Sequence, residues 1–500
     1  MSEKVIDKGN LSEFEKKLCE KVEERRDEIV ELLKDLISID SRSYDWREFS
    51  DMHKVFEFAQ NYMEKIGFET ELYKAPHRLE EENKGKKEWP NLLAYIKSKD
   101  YEGSTESEGK KGGKFLQFNG HLDIVPYREE HWDEDLSPLK AVVKDGKIYG
   151  RGTCDMKGGL AAQMIACKLF KEMDLPFQGK LQMWFIPDEE LDGLYGAQYM
   201  AKNHFDKVNA DGTIIAEPSG QPPIKSPAIV VGEKGHKWLE YVFHGSSGHG
   251  SLPKPKSNSI NKAAKFINKS NKWKLPKVKS PIGLWDLVKA LFSRFSLGEL
   301  IKALKSVGDE EPDPYMEDGL PIKHFFNTSV SFTMIEGGSK TNVIPDTCSF
   351  RTDIRVLPGI SDQDIYSSIA EYGTYLGYRV KLPEGFKNPQ ESNRKMMKRP
   401  VDIEINPIST TDGTFVDPNK DFAQLLKGTF EDVYKRNAVF FFAPGGTDAV
   451  HMRMENMENV LIFGPSGFNA HDANESVVID ELVNTCKVFL VTAYRMLGKK

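Results

Sequence analysis

The sequence predicts an α/β protein in which a smaller α+β unit interrupts a larger sheet. Between Phe115 and Ala216, apolar strand-like runs alternate with helical patterns, which is typical of βαβ units with helices on both faces of a sheet. After Val231 the order changes to β-α-β-β-α-β, which is typical of a small ferredoxin-like sandwich. From about Pro407 the first pattern resumes. A chain of 500 residues also exceeds what one hydrophobic core usually serves, so two domains are expected.

The spacing of apolar residues predicts each element in turn. Helices are expected at 11–39 and 47–66, followed by a short strand at 91–96 between charged loops. The first α/β part then contains strands at 115–118, 179–186 and 212–216, with helices at 158–170 and 195–202. The α+β unit contains strands at 237–243, 326–336, 343–356, 378–382 and 401–405, with helices at 259–269 and 361–372. The last part contains helices at 421–434 and 480–497 and strands at 438–442 and 460–463.

We therefore expect residues 1–233 and 407–500 to form the larger domain, and residues 234–406 to form the inserted one. Within the inserted domain, residues 281–307 carry apolar side chains at helical spacing, namely Leu284, Leu287, Val288, Leu291 and Phe295. We interpret them as a helical insertion packed on this domain or on a second subunit, and favour that over contact with a membrane.

Composition limits the classes of function. With 39% hydrophobic and 29% charged residues, the chain is typical of a globular protein with a charged surface. A net charge of -7 argues against a nucleic-acid partner but not against a local basic pocket. Five scattered cysteines without a C-x-x-C pair, a polar N-terminus and no long apolar run predict a cytoplasmic protein without a membrane partner.

His121 and Asp123 are the first candidate site residues, and they follow a predicted strand in the segment GHLDIVP. Side chains two residues apart in an extended chain point the same way, so Asp123 is positioned to accept the free ring N–H of His121. Such a contact fixes the tautomer of a metal-binding imidazole and raises its basicity. Taken alone, however, a His-x-Asp pair is more often a plain hydrogen-bonded pair.

Acids and a second histidine follow other strands and loops. Asp155 lies in a glycine-rich segment before a helix, where a helix cap is the alternative and a phosphate-binding Gly-Lys-Ser/Thr is absent. Three acids end the strand at 179–186, where a solvated turn is the alternative, and single residues follow two later strands. The triplet is Asp188, Glu189 and Glu190, and the single residues are Glu217 and His471. The five candidate ligands are His121, Asp155, Glu190, Glu217 and His471. Residues at the carboxyl edge of an α/β sheet meet there, and these oxygen and nitrogen donors suit zinc.

In their order along the chain, these motifs resemble those of the dizinc aminoacylase and carboxypeptidase family that includes acetylornithine deacetylase and succinyl-diaminopimelate desuccinylase. The matching segments, spread over about residues 27–497, are GHLDIVP, GRGTCDMKGG, DEE, AEPSG, GSSGHGSLP, NVIP, DIRVLPG, GGTDA and AHDANE. The resemblance implies a zinc-peptidase-like catalytic domain with a mixed sheet, and an inserted lid that mediates dimerisation.

The resemblance also implies roles for the matching residues. It implies two sets of metal ligands that share Asp155. One set is His121, Asp155 and Glu217, and the other set is Asp155, Glu190 and His471. Glu189 would be the general base that takes the proton of a metal-activated water and passes it to the leaving amine. The peptide bond after Asp155 is expected to be cis.

Further implied roles lie in the inserted domain and the later loops. His249 matches a lid histidine that reaches the active site of a neighbouring subunit and stabilises the oxyanion, so a homodimer is expected. Arg355 fits a substrate carboxylate, with a surface ion pair as the alternative. Substrate contacts are implied for Asn342, Arg355, Gly445 and Gly446. Three histidines match no ligand position and are assigned structural roles, namely His131, His236 and His244.

We therefore expect a hydrolase with two zinc ions per subunit, or cobalt or manganese in their place, that cleaves the amide bond of a small N-acyl amino acid. A dipeptidase or carboxypeptidase acting on short peptides is the alternative, because these enzymes share the catalytic residues. A catalytically inactive binding protein on the same fold is the alternative of another class. The complete set of five ligands and Glu189 argues against it, and the segment VGEKG at 231–235 favours the deacetylase branch over the desuccinylases.

Overall fold

The computed structural model describes residues 11–45, 48–49, 52–76, 88–103, 112–174, 176–220, 227–278 and 327–499. The predicted helical insertion at 281–307 lies outside the described residues. Within the described ranges, none of the helices combines the length and the hydrophobicity that crossing a bilayer requires.

The helices are described first, in chain order. They are α1 Glu13–Glu23, α2 Arg26–Ser38, α3 Met52–Lys65, α4 Lys157–Glu172, α5 Ala197–Asn203, α6 Phe205–Val208, α7 Ser259–Asn268, α8 Asp362–Leu376, α9 Arg394–Met397, α10 Asp421–Tyr434, α11 Asp448–Met454 and α12 Ile479–Leu497. Short 3-10 turns cover Glu129–His131, Glu189–Leu191, Ser270–Lys272 and Pro389–Ser392.

The strands form a large sheet, a small sheet and three lesser ones. In chain order they are β1 Ser43–Asp45, β2 Glu48–Phe49, β3 Glu69–Ala75, β4 Trp89–Lys97, β5 Lys114–His121, β6 Val142–Lys144, β7 Lys147–Tyr149, β8 Gly179–Ile186, β9 Gly212–Ile215, β10 Ile229–Glu233, β11 Gly235–His244, β12 Gly248–His249, β13 Ser329–Gly337, β14 Val343–Ile344, β15 Thr347–Val356, β16 Val380–Lys381, β17 Ile403–Thr411, β18 Thr414–Phe415, β19 Phe440–Ala443, β20 Val460–Ile462, β21 Gly467–Phe468 and β22 Ser476–Val478.

The large sheet has the strand order β18-β10-β20-β9-β5-β8-β4-β3, with β19 also paired to β10. Its centre is parallel, because β5 pairs in parallel with both β8 and β9, whereas β4 joins β8 in antiparallel orientation. The central strand β8 is buried along nearly its whole length, which explains its continuous apolar sequence. The predicted α/β class with a mixed sheet is confirmed.

The small sheet has the order β13-β15-β11-β17-β16, and α7 and α8 pack against it around a second hydrophobic core. The order along the chain starts with the predicted β-α-β-β-α-β, and β17 follows as a fifth strand. Burial alternates along β11, as expected for a strand with one face on a core. Strand β17 runs across the predicted domain boundary at 406/407, and both boundaries stay predictions.

Some predicted elements differ in their bounds. The prediction of a single helix at 11–39 is wrong, because this segment forms two helices: α1 ends at Glu23 and α2 begins at Arg26. A capping box at Ser12 and Glu15 starts α1, and the backbone N–H of Glu24 still bonds within that helix. Strands β3 and β10 and the hairpin of β6 and β7 were not predicted from the sequence.

Candidate metal centre and adjoining cavity

Three neighbouring strands of the large sheet bring the first ligand candidates together. His121 is the last residue of β5, while Glu190 and Glu217 follow β8 and β9. Because β5 pairs in parallel with both of these strands, all three carboxyl ends lie at one edge of the sheet. The two remaining candidates come from loops, with Asp155 ahead of α4 and His471 between β21 and β22.

The five side chains form two overlapping clusters. His121 Nε2 lies 3.1 Å from Asp155 Oδ1 and 3.4 Å from Glu217 Oε1. His471 Nε2 lies 3.2 Å from Asp155 Oδ2 and 3.1 Å from Glu190 Oε2. Within each cluster the potential ligand atoms lie within 4.8 Å of one another. Asp155 therefore directs one carboxylate oxygen into each cluster, as a bridging ligand requires.

The protonation of these groups reflects their crowding. Burial, followed by the charge of Asp155, raises the pKa of Glu217 to about 8 and that of Glu190 to about 7. Hydrogen bonds to Asp155 and Glu190 raise the pKa of His471 to about 10. A bound proton and a bound divalent cation compensate the same concentrated negative charge. A cluster whose groups hold protons this strongly therefore also attracts divalent cations.

A free acceptor atom is consistent with metal binding. Glu190 is buried in this cluster, and its Oε1 atom has no hydrogen-bond partner among the described residues. A buried carboxylate oxygen without a donor is costly unless a cation compensates it. The two clusters, each with imidazole nitrogen and carboxylate oxygen, thus fit zinc or a similar divalent metal.

Asp123 contacts His121 from the opposite side of the imidazole ring. His121 Nδ1 lies 3.0 Å from the main-chain carbonyl oxygen of Asp123 and 3.2 Å from its carboxylate Oδ1. Asp123 Oδ2 also accepts a hydrogen bond of 3.2 Å from the backbone N–H of Glu190. The hydrogen bond at Nδ1 therefore involves the carbonyl oxygen of Asp123, whereas its carboxylate Oδ1, the predicted acceptor, lies close but has no hydrogen-bond partner among the described residues. Asp123 also links two ligand positions.

Glu475 holds the loop that carries Asp155, and the sequence reasoning gave it no role. Its Oε1 accepts the backbone N–H groups of Cys154 and Asp155 at 2.9 and 3.0 Å. Its Oε2 accepts from the backbone of Gly152 at 3.0 Å and from Arg151 Nη1 at 2.6 Å. The expected cis peptide bond joins Asp155 to Met156. Glu475 lies inside the motif AHDANE, but only the fold shows that it faces a loop more than 300 positions away.

A cavity adjoins the cluster and lies between the two sheets. One wall belongs to the domain of the large sheet and includes Glu189. Burial, followed by the negative charge of Glu217, raises the pKa of Glu189 well above its usual range. The residues on this wall are Glu189, Asp192, Gly446, Thr447, Asp448, Val450 and His451. The facing wall contains Lys234, His236, Trp238, Arg355 and Thr411.

The predicted substrate contacts are only partly brought to this cavity. Arg355 and Gly446 line it, and Arg355 Nε also lies 3.0 Å from Asp353 Oδ1, so the alternative ion pair is present as well. Gly445 is not among the lining residues. His236, which we had assigned a structural role, lies in the wall and bonds Ser409 Oγ at 2.9 Å.

His249 ends β12, and Asn342 directly precedes β14, the strand that pairs with β12. The backbone N–H of Gly250 donates to the carbonyl oxygen of Asn342 at 2.8 Å, and His249 Nδ1 lies 2.7 Å from Ser251 Oγ. Both side chains are exposed, and neither lines the cavity of its own chain. Of the other two histidines that we had assigned structural roles, His244 lies 3.6 Å from Glu404, and His131 is exposed in a 3-10 turn.

Comparisons with known proteins relate this chain to a family of hydrolases. The sequence profile of peptidase family M20/M25/M40 matches residues 117–495. A succinyl-diaminopimelate desuccinylase from Sulfurovum sp. (strain NBC37-1) is 36% identical, over 80% of this chain and 92% of that protein. An uncharacterized metallohydrolase from Methanocaldococcus jannaschii is 26% identical, over 75% of this chain and 80% of that protein.

A solved structure has the same fold. Human carnosine dipeptidase 1 is similar with a TM-score of 0.65, covering 97% of this chain and 99% of that one. The sequences are 16% identical, so this likeness concerns the fold alone.

Proposed function

The chain belongs to peptidase family M20/M25/M40, and from that premise we propose that it is a deacylase of small N-acyl amino acids. As a member of this family it is a metal-dependent hydrolase of amide bonds. The observation that supports the proposal most is the pair of clusters that share Asp155, next to a cavity lined by both Glu189 and Arg355.

The two clusters would hold two divalent metal ions, and we propose zinc, with cobalt or manganese as substitutes. One ion would be bound by His121, Asp155 and Glu217, and the other by Asp155, Glu190 and His471. When bound, such ions lower the pKa of water and polarise a carbonyl group. Asp123 would keep the ring of His121 in one tautomer through the contacts at Nδ1.

Glu189 would be the general base. It precedes the ligand Glu190, lines the cavity, and has a carboxylate oxygen within 4.8 Å of a ring nitrogen of His121 and of an oxygen of Glu190. A carboxylate at this position can accept a proton from the attacking water and return it to the nitrogen of the leaving amine.

The opposite wall of the cavity would bind the carboxylate of the amino acid. Arg355 and Lys234 provide positive charge there, and Nη1 of Arg355 has no hydrogen-bond acceptor among the described residues, while Nε and Nη2 are directed at Asp353. Gly446 leaves space for a substrate near the backbone, since its nearest side-chain atom to an added Cβ is Val450 Cγ2 at 3.6 Å. We propose that Gly445 and Asn342 contact the substrate as well.

The working enzyme would be a homodimer. The edge strand β13 exposes Met334 and Ile335 to 59% and 61%, and an unpaired edge with apolar side chains is a typical surface for association. In such a dimer, His249 could reach the neighbouring subunit and stabilise the oxyanion. The five cysteines are unpaired, which supports a reducing compartment such as the cytoplasm.

Turnover of two substrate panels tests the proposal. The zinc-loaded protein is compared on N-acetyl amino acids and on dipeptides of the same residues, with Glu189→Gln protein as the control for contaminating activity. We expect hydrolysis of the acetylated panel. Activity restricted to dipeptides would instead identify a dipeptidase of the same family. A protein that binds less than about one metal ion per chain and hydrolyses neither panel would be the inactive binding protein.

A further inference from the structure

His451 lies in the cavity wall and has no part in the proposed mechanism. It belongs to α11, the helix that follows the loop with Gly445 and Gly446. Its Nε2 atom lies 2.7 Å from the carbonyl oxygen of Asp192, the residue after the 3-10 turn Glu189–Leu191. One side chain therefore connects the helix after the proposed substrate loop to the turn that carries the proposed general base.

The contacts of His451 show which ring nitrogen carries the proton. A carbonyl oxygen can only accept a hydrogen bond, so Nε2 is the donor to Asp192. Nδ1 lies 3.4 Å from the amide nitrogen of Gln198, which can only donate, so Nδ1 is the acceptor. Burial lowers the pKa of His451, which favours the neutral ring that this pair of contacts requires. His451 therefore serves as a fixed donor rather than as an acid or a base.

The segment that receives this hydrogen bond has an uncommon backbone conformation. Asp192 and Gly193 both have positive φ angles, of 80° and 62°. For a residue other than glycine this conformation costs about 1–2 kcal/mol, so the surrounding contacts must hold it. The N–H groups of Asp192 and Gly193 bond the carbonyl oxygens of Glu189 and Asp188 at 3.0 and 2.9 Å. His451 adds to these local bonds a hydrogen bond from a different element.

Helix α11 also packs closely against this segment. A Cβ atom on Gly193 would lie 2.4 Å from Asp448 Oδ1 and 3.1 Å from His451 Cδ2. The helix is itself held to the large sheet, because Arg453 donates from Nε and Nη2 to the carbonyl oxygen of Val460 on β20, at 3.1 and 2.8 Å. The hydrogen bond of His451 therefore ties the turn to a helix that is anchored elsewhere.

We infer that His451 is a positioning residue for Glu189. By holding the carbonyl oxygen of Asp192, it keeps the carboxylate of Glu189 directed into the cavity. The inference rests on the proposed function, in which Glu189 is the base. Because a displacement of about 1 Å can cost about 10²-fold in rate, loss of this hydrogen bond should lower kcat. Metal content should not change, since Asp123 also holds the backbone N–H of Glu190, at 3.2 Å.

Two amide substitutions distinguish the two nitrogen positions of the ring. Glutamine places its amide nitrogen where Nε2 lies and can still donate to Asp192, whereas asparagine reaches only the position of Nδ1. We expect His451→Asn to lower kcat by about 10- to 100-fold with KM within about threefold of wild type, and His451→Gln to keep kcat within about threefold. Unchanged kcat in His451→Asn protein, or equal losses in the two variants, overturns the inference.

His244→Asn is the matched control. His244 lies on the small sheet, 3.6 Å from Glu404, and should tolerate the same substitution at the wild-type rate. Thermal unfolding shows whether each variant has folded. If His451→Asn protein does not fold, His451→Phe takes its place, because phenylalanine keeps an aromatic ring and lacks the donor.

Combination with Glu189→Gln shows whether His451 acts through Glu189. If it does, His451→Asn should lower the residual rate of Glu189→Gln protein by less than about twofold, because the carboxylate that it positions is already lost. The same loss of about 10- to 100-fold in both backgrounds would show that His451 acts on another group, and would overturn the inference.

Hydrogen exchange separates this inference from the proposed function, because it does not depend on activity. In the zinc-loaded, full-length protein, the amides of Asp192 and Gly193 should exchange at least about tenfold faster in His451→Asn than in wild type, and at the wild-type rate in His451→Gln. This result in a protein that hydrolyses no N-acetyl amino acid retains the hold on the turn and rejects the deacylase. Hydrolysis with unchanged exchange and unchanged kcat in His451→Asn protein does the reverse.

Discussion

Glu189 and Glu190 are adjacent acids with different surroundings, and substitution should separate their roles. Glu190 Oε2 lies 3.1 Å from His471, whereas Glu189 lines the cavity. We expect Glu189→Gln to keep the metal content and lose about 10²- to 10⁴-fold in kcat, as for a lost general base. Glu190→Gln should lose metal as well as activity. Metal analysis and turnover of an N-acetyl amino acid check both, and Glu189→Gln protein within tenfold of the wild-type rate would contradict the base assignment.

Glu475 should be as important for metal binding as a ligand is, although it is not itself a proposed ligand. Its side chain is 1% exposed and is paired with Arg151, which is 3% exposed, so Glu475→Gln leaves a buried guanidinium without its anion. Breaking a buried pair in this way costs about 3–5 kcal/mol. Because the same carboxylate holds the backbone of Asp155, we also expect metal affinity to fall by about 10- to 100-fold. Urea unfolding and zinc titration measure the two effects.

Glu404→Gln is the control for that substitution. Glu404 pairs with Lys381 at 2.5 Å on the surface, where the lysine is 60% exposed, and such pairs contribute less than about 1 kcal/mol. Equal losses of stability in the two variants, or unchanged zinc affinity in Glu475→Gln protein, would show that the buried network does not support the metal centre.

Among the elements, helix α4 carries a glycine that lets it approach the end of β9. A Cβ atom on Gly159 would lie 2.1 Å from the carbonyl oxygen of Ala216, the residue before the ligand Glu217. We expect Gly159→Ala to destabilise the protein by about 1–3 kcal/mol through overpacking and to weaken metal binding, because helix and ligand must move apart.

Gly428→Ala in helix α10 is the matched comparison, since no atom outside the backbone of its own helix and its chain neighbours lies within 4 Å of its added Cβ. It should be neutral or stabilise by up to about 1 kcal/mol, because alanine reduces the freedom of the unfolded chain. Urea unfolding of both variants tests the difference, and a Gly159→Ala protein as stable as the Gly428→Ala protein would exclude a close helix contact at this strand end.

The sequence predicted those elements whose apolar pattern is local and long. Helices α4, α10 and α12 and strand β8 match their predicted bounds within two residues. Strands β3 and β10 were not predicted because their neighbours in the sheet decide their pairing. Strand β3, for example, is exposed or half-buried at every residue but its last, and it depends on its antiparallel partner β4.

For the site, the sequence predicted which residues converge but not what holds them. His121, Glu190 and Glu217 could be predicted because each follows a strand, and strand ends of one parallel sheet meet. The hydrogen bonds between Glu475 and the loop of Asp155 could not be predicted, because they depend on how two distant loops face each other. The positions of Asp192 and His236 in the cavity wall could not be predicted either. The cavity lies between two sheets, and no sequence motif or residue spacing indicates which side chains face it.

In the whole molecule, two adjacent chain crossings join the sheets beside the cavity. Lys234 alone separates β10 from β11, and the chain returns from β17 to β18, where Thr414 pairs with Glu233. Arg453 of α11 lies 3.1 Å from Glu233, so this buried ion pair connects the crossing to a helix of the cavity wall. Any movement of one sheet relative to the other therefore changes the distance between Arg355 and Glu189, which lie on opposite walls.

Association of two chains is tested at the exposed edge of the small sheet. Met334 lies on β13 and is 59% exposed, so Met334→Lys should place a charge in the proposed interface and prevent dimer formation. Leu72→Lys is the control, since Leu72 is 46% exposed on β3, an edge strand of the large sheet. Sedimentation should give a monomer for Met334→Lys only, and a Met334→Lys protein that remains a dimer would exclude this edge as the interface.

The role of His249 can then be tested by mixing two inactive variants. His249→Ala protein keeps Glu189, and Glu189→Gln protein keeps His249. If His249 acts in the site of the neighbouring subunit, a mixed dimer has one site with both residues. Half of the dimers in an equal mixture are mixed, so about a quarter of the sites should regain activity after the subunits are exchanged. Recovery should be absent when Met334→Lys is added to both chains, because they can no longer pair. If His249 instead acts within its own chain, the exchanged mixture stays inactive, although each variant binds metal.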